Sequence, residues 1–254
     1  MNMLFDSHAH YDHEKFDPDR DNLLEGLPGA GIGGVLNASS TVDTSRAALL
    51  LAERFPYIWA SAGIHPHDAD SLDDAALLAV EELCRHPKVV ALGEIGLDYH
   101  YDLSPRDTQR ASFARQLELA NALNMPVIVH SREAAADTLE LMRRYRPRGV
   151  VHCFSGSAEL AKIYADMGYY VGFTGVVTFE KARRPLEAAR AVPLQQLLIE
   201  TDCPYMAPAP YRGKRSDSTM LPHVVNALAA ARGETPEAIA AATWKNAREI
   251  YNIN

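Results

Sequence analysis

Two histidines separated by one residue, His8 and His10, are the first side chains that could do chemistry. In an extended segment residues i and i+2 point the same way, so both imidazoles can face one ion. Imidazole nitrogens suit zinc, manganese, iron or nickel, and carboxylates also accept magnesium. An isolated His-x-His is a weak signal, and a lone His130 or His152 reads more simply as a hydrogen-bonded, partly buried histidine. Here the donors recur. Glu94, His130, His152 and Asp202 each stand at the end of a short apolar run, in Gly93-Glu94-Ile95-Gly96, Val129-His130-Ser131, Val151-His152-Cys153 and Glu200-Thr201-Asp202. A single catalytic zinc usually takes three protein ligands plus water, so this set is too large for it. Two divalent ions sharing a carboxylate would use all of it. One ion would take His8, His10, Glu94 and Asp202, the other Glu94, His130 and His152. Glu94 is the expected bridge because it lies between the two sets in strand order. Offset by Glu94, Asp202 and a bridging hydroxide, two divalent ions leave a net charge of about +1. Such a site suits a phosphodiester or an ester oxyanion, and paired metals stabilise both attacking and leaving oxygens, so the expected reaction is hydrolysis. Asp202 can accept the proton of the bridging water as general base. Glu200 either orients a ligand from behind or is an interior carboxylate paired with a cation.

These donors need elements to bring them together. Short apolar, β-branched runs occur at Met3–Phe5, Gly34–Asn37, Ile58–Ala62, Val89–Leu92, Pro126–Val129, Gly149–Val151, Tyr170–Phe173 and Leu197–Ile199. Their spacing of 21 to 37 residues fits a strand, a crossover helix and two loops. Helix signals fill the gaps. Ser104 and Pro105 offer an N-cap and a proline at the first helical position, with Phe113, Leu117 and Ala120 following on one face. Ser157 opens a helix that Gly168 closes, with Leu160, Ile163 and Tyr164 available for its buried side. Gly233 ends the Leu221–Arg232 helix, and Thr235-Pro236-Glu237 begins the last one. No linker or low-complexity tract divides the chain. Eight βα units across 254 residues predict an α/β fold, a single (β/α)8 TIM barrel spanning 1–254. A doubly wound sheet is the alternative, but the donors converge with the His-x-His pair only if the sheet closes. A barrel puts them at the C-terminal ends of its strands, where such folds carry their active sites.

Composition narrows the function classes. Lys and Arg number 25 against 33 Asp and Glu, a formal charge of −8 that argues against coating long duplex DNA. One nucleic-acid end in a locally basic pocket remains compatible. Cys84, Cys153 and Cys203 are scattered and odd in number, which suggests no disulfide framework and a reducing compartment. No apolar run approaches membrane-spanning length, and the N-terminus lacks a signal-peptide pattern. A cytoplasmic, soluble monomer with no membrane partner is expected.

At the donor segments the sequence resembles the TatD family of metal-dependent hydrolases, within the amidohydrolase-like metal barrels. The resemblance rests on FDSHAH (5–10), SAGIHPHD (61–68), GEIGLDYH (93–100), PVIVHSR (126–132), HCFSG (152–156), ETDCPY (200–205) and PYRGKR (210–215), which follow one another in family order along essentially the whole chain. It implies a divalent-metal-dependent deoxyribonuclease that trims DNA from the 3′ end; with the donor count this becomes an enzyme of two divalent ions (Zn, Mn, Ni or Mg), expected to act on single-stranded or frayed DNA ends. Some relatives are associated instead with removing D-amino acids from tRNA, an ester hydrolysis that the same site could perform. His8, His10, Glu94, His130, His152 and Asp202 match the family's metal positions. Related barrels bridge their metals with a carboxylated lysine, but VVALGEIG (89–96) holds none, which counts against a phosphotriesterase or dihydroorotase reading. A non-catalytic nucleotide-binding barrel would have a broken ligand set, and this one is complete. Ser216-Asp217-Ser218-Thr219 departs from the family's usual Asn, acidic or Gln, Pro continuation, which concerns the adjoining substrate contacts.

Around the metal residues, His65 suits either a substrate phosphate or a capping role, and His67 is the weaker candidate. Arg212, Lys214 and Arg215 form a local basic patch beyond the eighth strand. Arginine can chelate phosphate and lysine acts as a point charge, although a solvated charge run is the alternative. Arg132, next but one to His130, receives the same reading. Tyr205 and Tyr211 could stack on a terminal base, but packing of their proline-rich loop is the simpler account. His13, His86, His100 and His223 read as structural. Cys153 and Cys203 are expected to point outward as small buried hydrophobes if strand alternation holds there.

Overall fold

The computed structural model describes residues 3–253. Eight strands run in one sheet whose order follows chain order: β1 (Leu4–Ala9), β2 (Ile32–Asn37), β3 (Ile58–Ala62), β4 (Val89–Asp98), β5 (Val127–Arg132), β6 (Gly149–Val151), β7 (Tyr170–Phe173) and β8 (Leu197–Ile199). Helices follow each strand: α1 (Arg20–Gly26), α2 (Val42–Arg54), α3 (Asp74–Cys84), α4 (Arg106–Leu123), α5 (Ala135–Tyr145), α6 (Ala158–Asp166), α7 (Arg183–Ala191), α8 (Leu221–Arg232) and α9 (Pro236–Ile250). This is the (β/α)8 barrel class. No described helix is long and apolar enough to cross a membrane.

The chain forms two compact units, one from the residues up to Asn37 and from Cys153 onward, the other from Ala38–His152. In the first, β1 pairs with β2 and β7 with β8, all parallel. Helix α9 packs on β1: Phe5 meets Trp244 edge-on, with ring centroids 6.1 Å apart. Its Asn246 amide donates to the carbonyls of Leu194 and Leu197 at 2.8 Å, which fixes the approach to β8. Thr235 caps α9 by accepting the Ala238 N–H, and Gly233 closes α8 in the left-handed region at φ 69°. Ser157 caps α6, whose buried face is Ala161, Tyr164 and Ala165. Leu160 and Ile163 are only half-buried.

In the second unit β3, β4, β5 and β6 pair in parallel. Helix α4 buries Phe113, Leu117 and Ala120 as expected, together with two glutamines the apolar pattern passes over. Gln116 accepts the Ile64 N–H at 2.8 Å and donates to its carbonyl at 2.9 Å. Gln109 does the same for Asp98, at 2.8 and 3.1 Å. Both clips satisfy backbone groups just where β3 and β4 end. Ser104 does not cap α4, whose N-cap is Pro105 without a side-chain bond; its hydroxyl donates to the His67 carbonyl instead.

Candidate metal centre

In the first unit, the pairing of β1 with β2 shifts register between Asp6 and Ala9, an irregularity of the kind that re-aims side chains. The His8 and His10 Nε2 atoms lie 3.1 Å apart. Asp202 Oδ1 stands 3.3 Å from His10 Nε2 and 3.8 Å from His8 Nε2. Backbone hydrogen bonds set this arrangement: Asp202 N–H donates to the His8 carbonyl at 2.9 Å, and His10 N–H to the Cys203 carbonyl at 2.8 Å. Asp202 takes the left-handed conformation, at φ 55°, which turns the chain just after β8.

Beneath this trio lies Asp6, fully buried. Its carboxylate accepts the Thr201 N–H (2.9 Å), the Thr201 hydroxyl (2.6 Å), the Ser218 hydroxyl (2.6 Å) and, more weakly, the His8 N–H (3.4 Å). Burial pushes its pKa up to about 6, against the lowering effect of those donors. Glu200 is also buried, and its carboxylate accepts the Ser7 hydroxyl and the Cys153 N–H. A Cβ at Gly172 would stand 2.3 Å from a Glu200 carboxylate oxygen, so only glycine leaves room for it on β7.

The second unit holds the other donors. His152 Nε2 lies 2.6 Å and His130 Nδ1 2.9 Å from the same oxygen, Glu94 Oε1. His65 Nε2 lies 3.4 Å from that oxygen too. The ligand atoms of His65, Glu94 and His130 fall within 4.8 Å of one another. His65 Nδ1 accepts the His67 N–H at 3.2 Å, so His65 does cap the turn after β3 while its other nitrogen faces Glu94. Burial pulls its pKa down to about 4, outweighing the pull of Glu94, so the ring is neutral at pH 7.

Asp98, at the end of β4, organises this cluster. Its Oδ2 meets His130 Nε2 at 3.0 Å and His67 Nε2 at 2.9 Å, and its Oδ1 accepts the N–H groups of His100 and Tyr101. Burial works against its charge, but the His130, Tyr101 and His67 bonds hold the carboxyl well below the usual range. For His130, burial lowers the pKa, but Asp98 and Glu94 raise it further, to about 9. Gly96 makes the close β4–β5 approach possible: it sits at φ +144°, and a Cβ there would fall 2.0 Å from the His130 carbonyl oxygen.

The donor chemistry in each unit fits a divalent ion. His8, His10 and Asp202 converge two imidazole nitrogens and a carboxylate oxygen, as do Glu94, His130 and His152. Asp6 and Asp98 stand outside these donor sets and were not singled out by the motifs; their acceptor capacity is used on backbone N–H groups, hydroxyls and histidine rings. Their sequence signal was their place on the same two strands, two and four residues from His8 and Glu94.

The basic residues separate into two groups. Arg215 is committed: its guanidinium makes two 2.6 Å bonds to the Asp19 carboxylate and lies over the Phe16 ring. Arg212 rests 4.6 Å from the Phe179 ring centroid, Lys214 5.9 Å from that of Tyr211, and Arg132 4.6 Å from that of Tyr101. Among the described residues no carboxylate pairs with these three. Tyr205 bonds His13 through its hydroxyl, and Tyr211 packs on His223, as the packing account expects. Strand alternation does not reach Cys153 or Asp202, because β6 and β8 have ended and both residues have positive φ. Cys203 is buried and Cys153 half-buried. The Ser216–Thr219 departure folds inward, with Ser216 and Ser218 fully buried and Asp217 capping the Thr219 N–H.

Residues 5–252 match the family model described as TatD related DNase. The chain is 38% identical, over 99% of its length and all of the relative's, to the protein named uncharacterized metal-dependent hydrolase YabD of Bacillus subtilis. It is 36% identical, over 98% of its own length and 99% of the relative's, to one named 3′-5′ ssDNA/RNA exonuclease TatD in Salmonella typhimurium. The solved structure of YJJV, a TatD homologue from Escherichia coli K12, superposes with a TM-score of 0.93 at 30% identity, covering 99% of this chain and 98% of that one. A likeness of this extent to a solved structure accounts for the barrel class as well as the motifs. The chain belongs to the TatD family of metal-dependent hydrolases.

Proposed function

We propose that this hydrolase is an exonuclease that removes nucleotides from the 3′ end of single-stranded or frayed DNA. The observation that carries the reading is the pairing of convergent donor sets with three uncommitted cations, Arg132, Arg212 and Lys214, in a chain of net charge −8. Three such cations suit a polyanionic nucleic acid, DNA or tRNA alike, over a small neutral ester. The exonuclease named among its relatives points the same way.

In this reading His8, His10 and Asp202 hold one divalent ion, and Glu94, His130 and His152 hold the other. Ions bound there supply Lewis-acid activation of water and neutralise phosphate charge. The chain's own groups do the rest. Asp202 accepts the proton of the attacking water. His65, whose Nδ1 receives the His67 N–H, carries its proton on Nε2 and can donate it to a phosphate oxygen. Arg132 and Arg212 clamp phosphate oxygens through their planar guanidinium groups, and Lys214 adds a point charge.

The test is metal-restored turnover of chelator-stripped protein on 5′-labelled single-stranded DNA, with Mg²⁺, Mn²⁺ or Zn²⁺ returned separately and Glu94→Gln as control. A ladder shortening one nucleotide at a time from the 3′ end, absent from the control, is expected. Hydrolysis of D-aminoacyl-tRNA without DNA trimming would overturn the proposal.

A further inference from the structure

The segment leaving β4 carries two large apolar side chains into solvent, Tyr101 at 54% and Leu103 at 65% exposure. Tyr101 is not adrift. Its N–H donates to Asp98 Oδ1 at 2.9 Å, and the His100 N–H donates to the same oxygen at 3.0 Å. The His67 and His100 rings meet the Tyr101 ring edge-on, at 5.5 and 4.9 Å between centroids. The Arg132 guanidinium covers the ring at 4.6 Å. Among the described residues the Tyr101 hydroxyl makes no hydrogen bond, unlike that of Tyr205. An exposed aromatic ring this tightly held, with an uncommitted arginine against it, is a flat surface awaiting a partner.

We propose that Tyr101 and Arg132 form a nucleobase platform: an unpaired base of the bound strand stacks on the open side of the Tyr101–Arg132 pair, and the guanidinium meets the neighbouring phosphate. Leu103 borders the stacked base. The inference rests on the nuclease reading and deepens it. An aromatic ring beside an arginine is the recurrent solution for single strands, because every base has a π-face and every linkage a charge. Asp98 gives the platform its second property. One of its oxygens holds the backbone of His100 and Tyr101, and the other holds His130 and His67. The same buried carboxylate therefore fixes where the base sits and how a metal-site histidine is turned, which sets the distance from stacked base to severed bond.

The experiment compares wild type, Tyr101→Ala, Tyr101→Phe and Tyr101→Trp on short single-stranded DNA with Mg²⁺, using 2-aminopurine in the last or penultimate position. Tyr101→Ala should raise KM about tenfold, the scale of losing one base stack, and abolish the 2-aminopurine quenching seen on binding. Tyr101→Phe and Tyr101→Trp should keep both, because the hydroxyl has no role. On a strand abasic at those two positions wild type should itself lose about tenfold, and Tyr101→Ala should lose nothing more. Equal KM values for wild type and Tyr101→Ala, or a Phe variant as poor as Ala, would overturn the platform while leaving the nuclease reading standing. A wild type that neither binds nor trims single-stranded DNA would overturn the nuclease reading and the platform with it.

Discussion

Replacing Ser218 by alanine probes the buried chain of hydroxyls that supports β1. Ser218 Oγ donates to Asp6 Oδ2 at 2.6 Å, which leaves Tyr11 OH as the donor in the 2.7 Å contact with Ser218 Oγ; the Tyr11 oxygen in turn accepts the Ser218 N–H at 2.8 Å. Asp6, Tyr11 and Ser218 are all fully buried, so water cannot replace what is lost. Ser218→Ala removes one hydrogen bond to a charged acceptor, worth about 1.5–3 kcal/mol, and leaves the Tyr11 hydroxyl only the weaker Cys203 thiol as acceptor, at about 1 kcal/mol. Asp6 keeps both Thr201 donors, so the total should be about 3 kcal/mol. For a chain of this size each kcal/mol shifts the melting temperature by about 2–4 °C, so the variant should melt about 6–12 °C lower. Thermal unfolding of the chelator-stripped protein measures this directly. Adding Tyr11→Phe completes a double-mutant cycle. The lost Ser218 N–H partner is common to both backgrounds and cancels, and a coupling of about 1 kcal/mol should remain for the hydroxyl pair. A Ser218→Ala variant melting within a degree of wild type, or a coupling of zero, would refute this account of why serine occupies the departure from the family pattern.

Two further outcomes follow from partners already described. Arg212→Ala should raise KM for single-stranded DNA several-fold, whereas Arg215→Ala should change it less than twofold, because Arg215 is spent on Asp19; steady-state kinetics on one oligonucleotide separates them, and equal effects would remove the distinction. Iodoacetamide at pH 8 should modify Cys153 first. Burial, reinforced by Glu81, pushes the Cys84 thiol up to about 12, and burial lifts that of Cys203 well above its usual value, so neither supplies appreciable thiolate at that pH. Peptide mapping reads the order, and modification of Cys203 as fast as Cys153 would contradict it.

The barrel was legible because its strands are short and apolar and recur at intervals that a strand, a helix and two loops can fill. The ends of β3, β6, β7 and β8 fall where the β-branched runs place them. Three strands did not end where their apolar runs end. β1 runs on through His8 to Ala9, β4 through Glu94 and Gly96 to Asp98, and β5 through His130 to Arg132. Apolar patterning stops at the first charged side chain, but these side chains have partners inside the fold. The ladder therefore continues past the expected boundary, with Gly96 opposite His130 and Asp98 opposite Arg132. Several donors thus stand on strands rather than after them. The same limit hid Gln109 and Gln116, polar residues on a buried helix face whose purpose is to pair backbone groups at strand ends. Ser104 misled for a related reason: capping residues are recognised by type, yet its hydroxyl had a tertiary acceptor in reach.

Asp6 and Asp98 explain why metal-binding motifs alone understate this chain. Each is a buried carboxylate outside the donor set of its unit, and each gathers four donors from more than one segment. Their consequences differ. Asp6 accepts mainly backbone and hydroxyl groups, so it fixes where the main chain of β1 lies against the segment after β8. Asp98 accepts two imidazoles, so it fixes how rings are turned, and the strong preference of those rings for its charge keeps the carboxyl ionised. A backbone-anchoring carboxylate tolerates change only in concert with its hydroxyl partners, which is why serine at 218 and tyrosine at 11 must be read together. On the proposed reading, a ring-orienting carboxylate acts on the metal site and the Tyr101 platform at once. Asp98→Asn should therefore disturb base stacking and metal affinity in the same variant, although Asp98 is itself neither a proposed ligand nor part of the stacking surface.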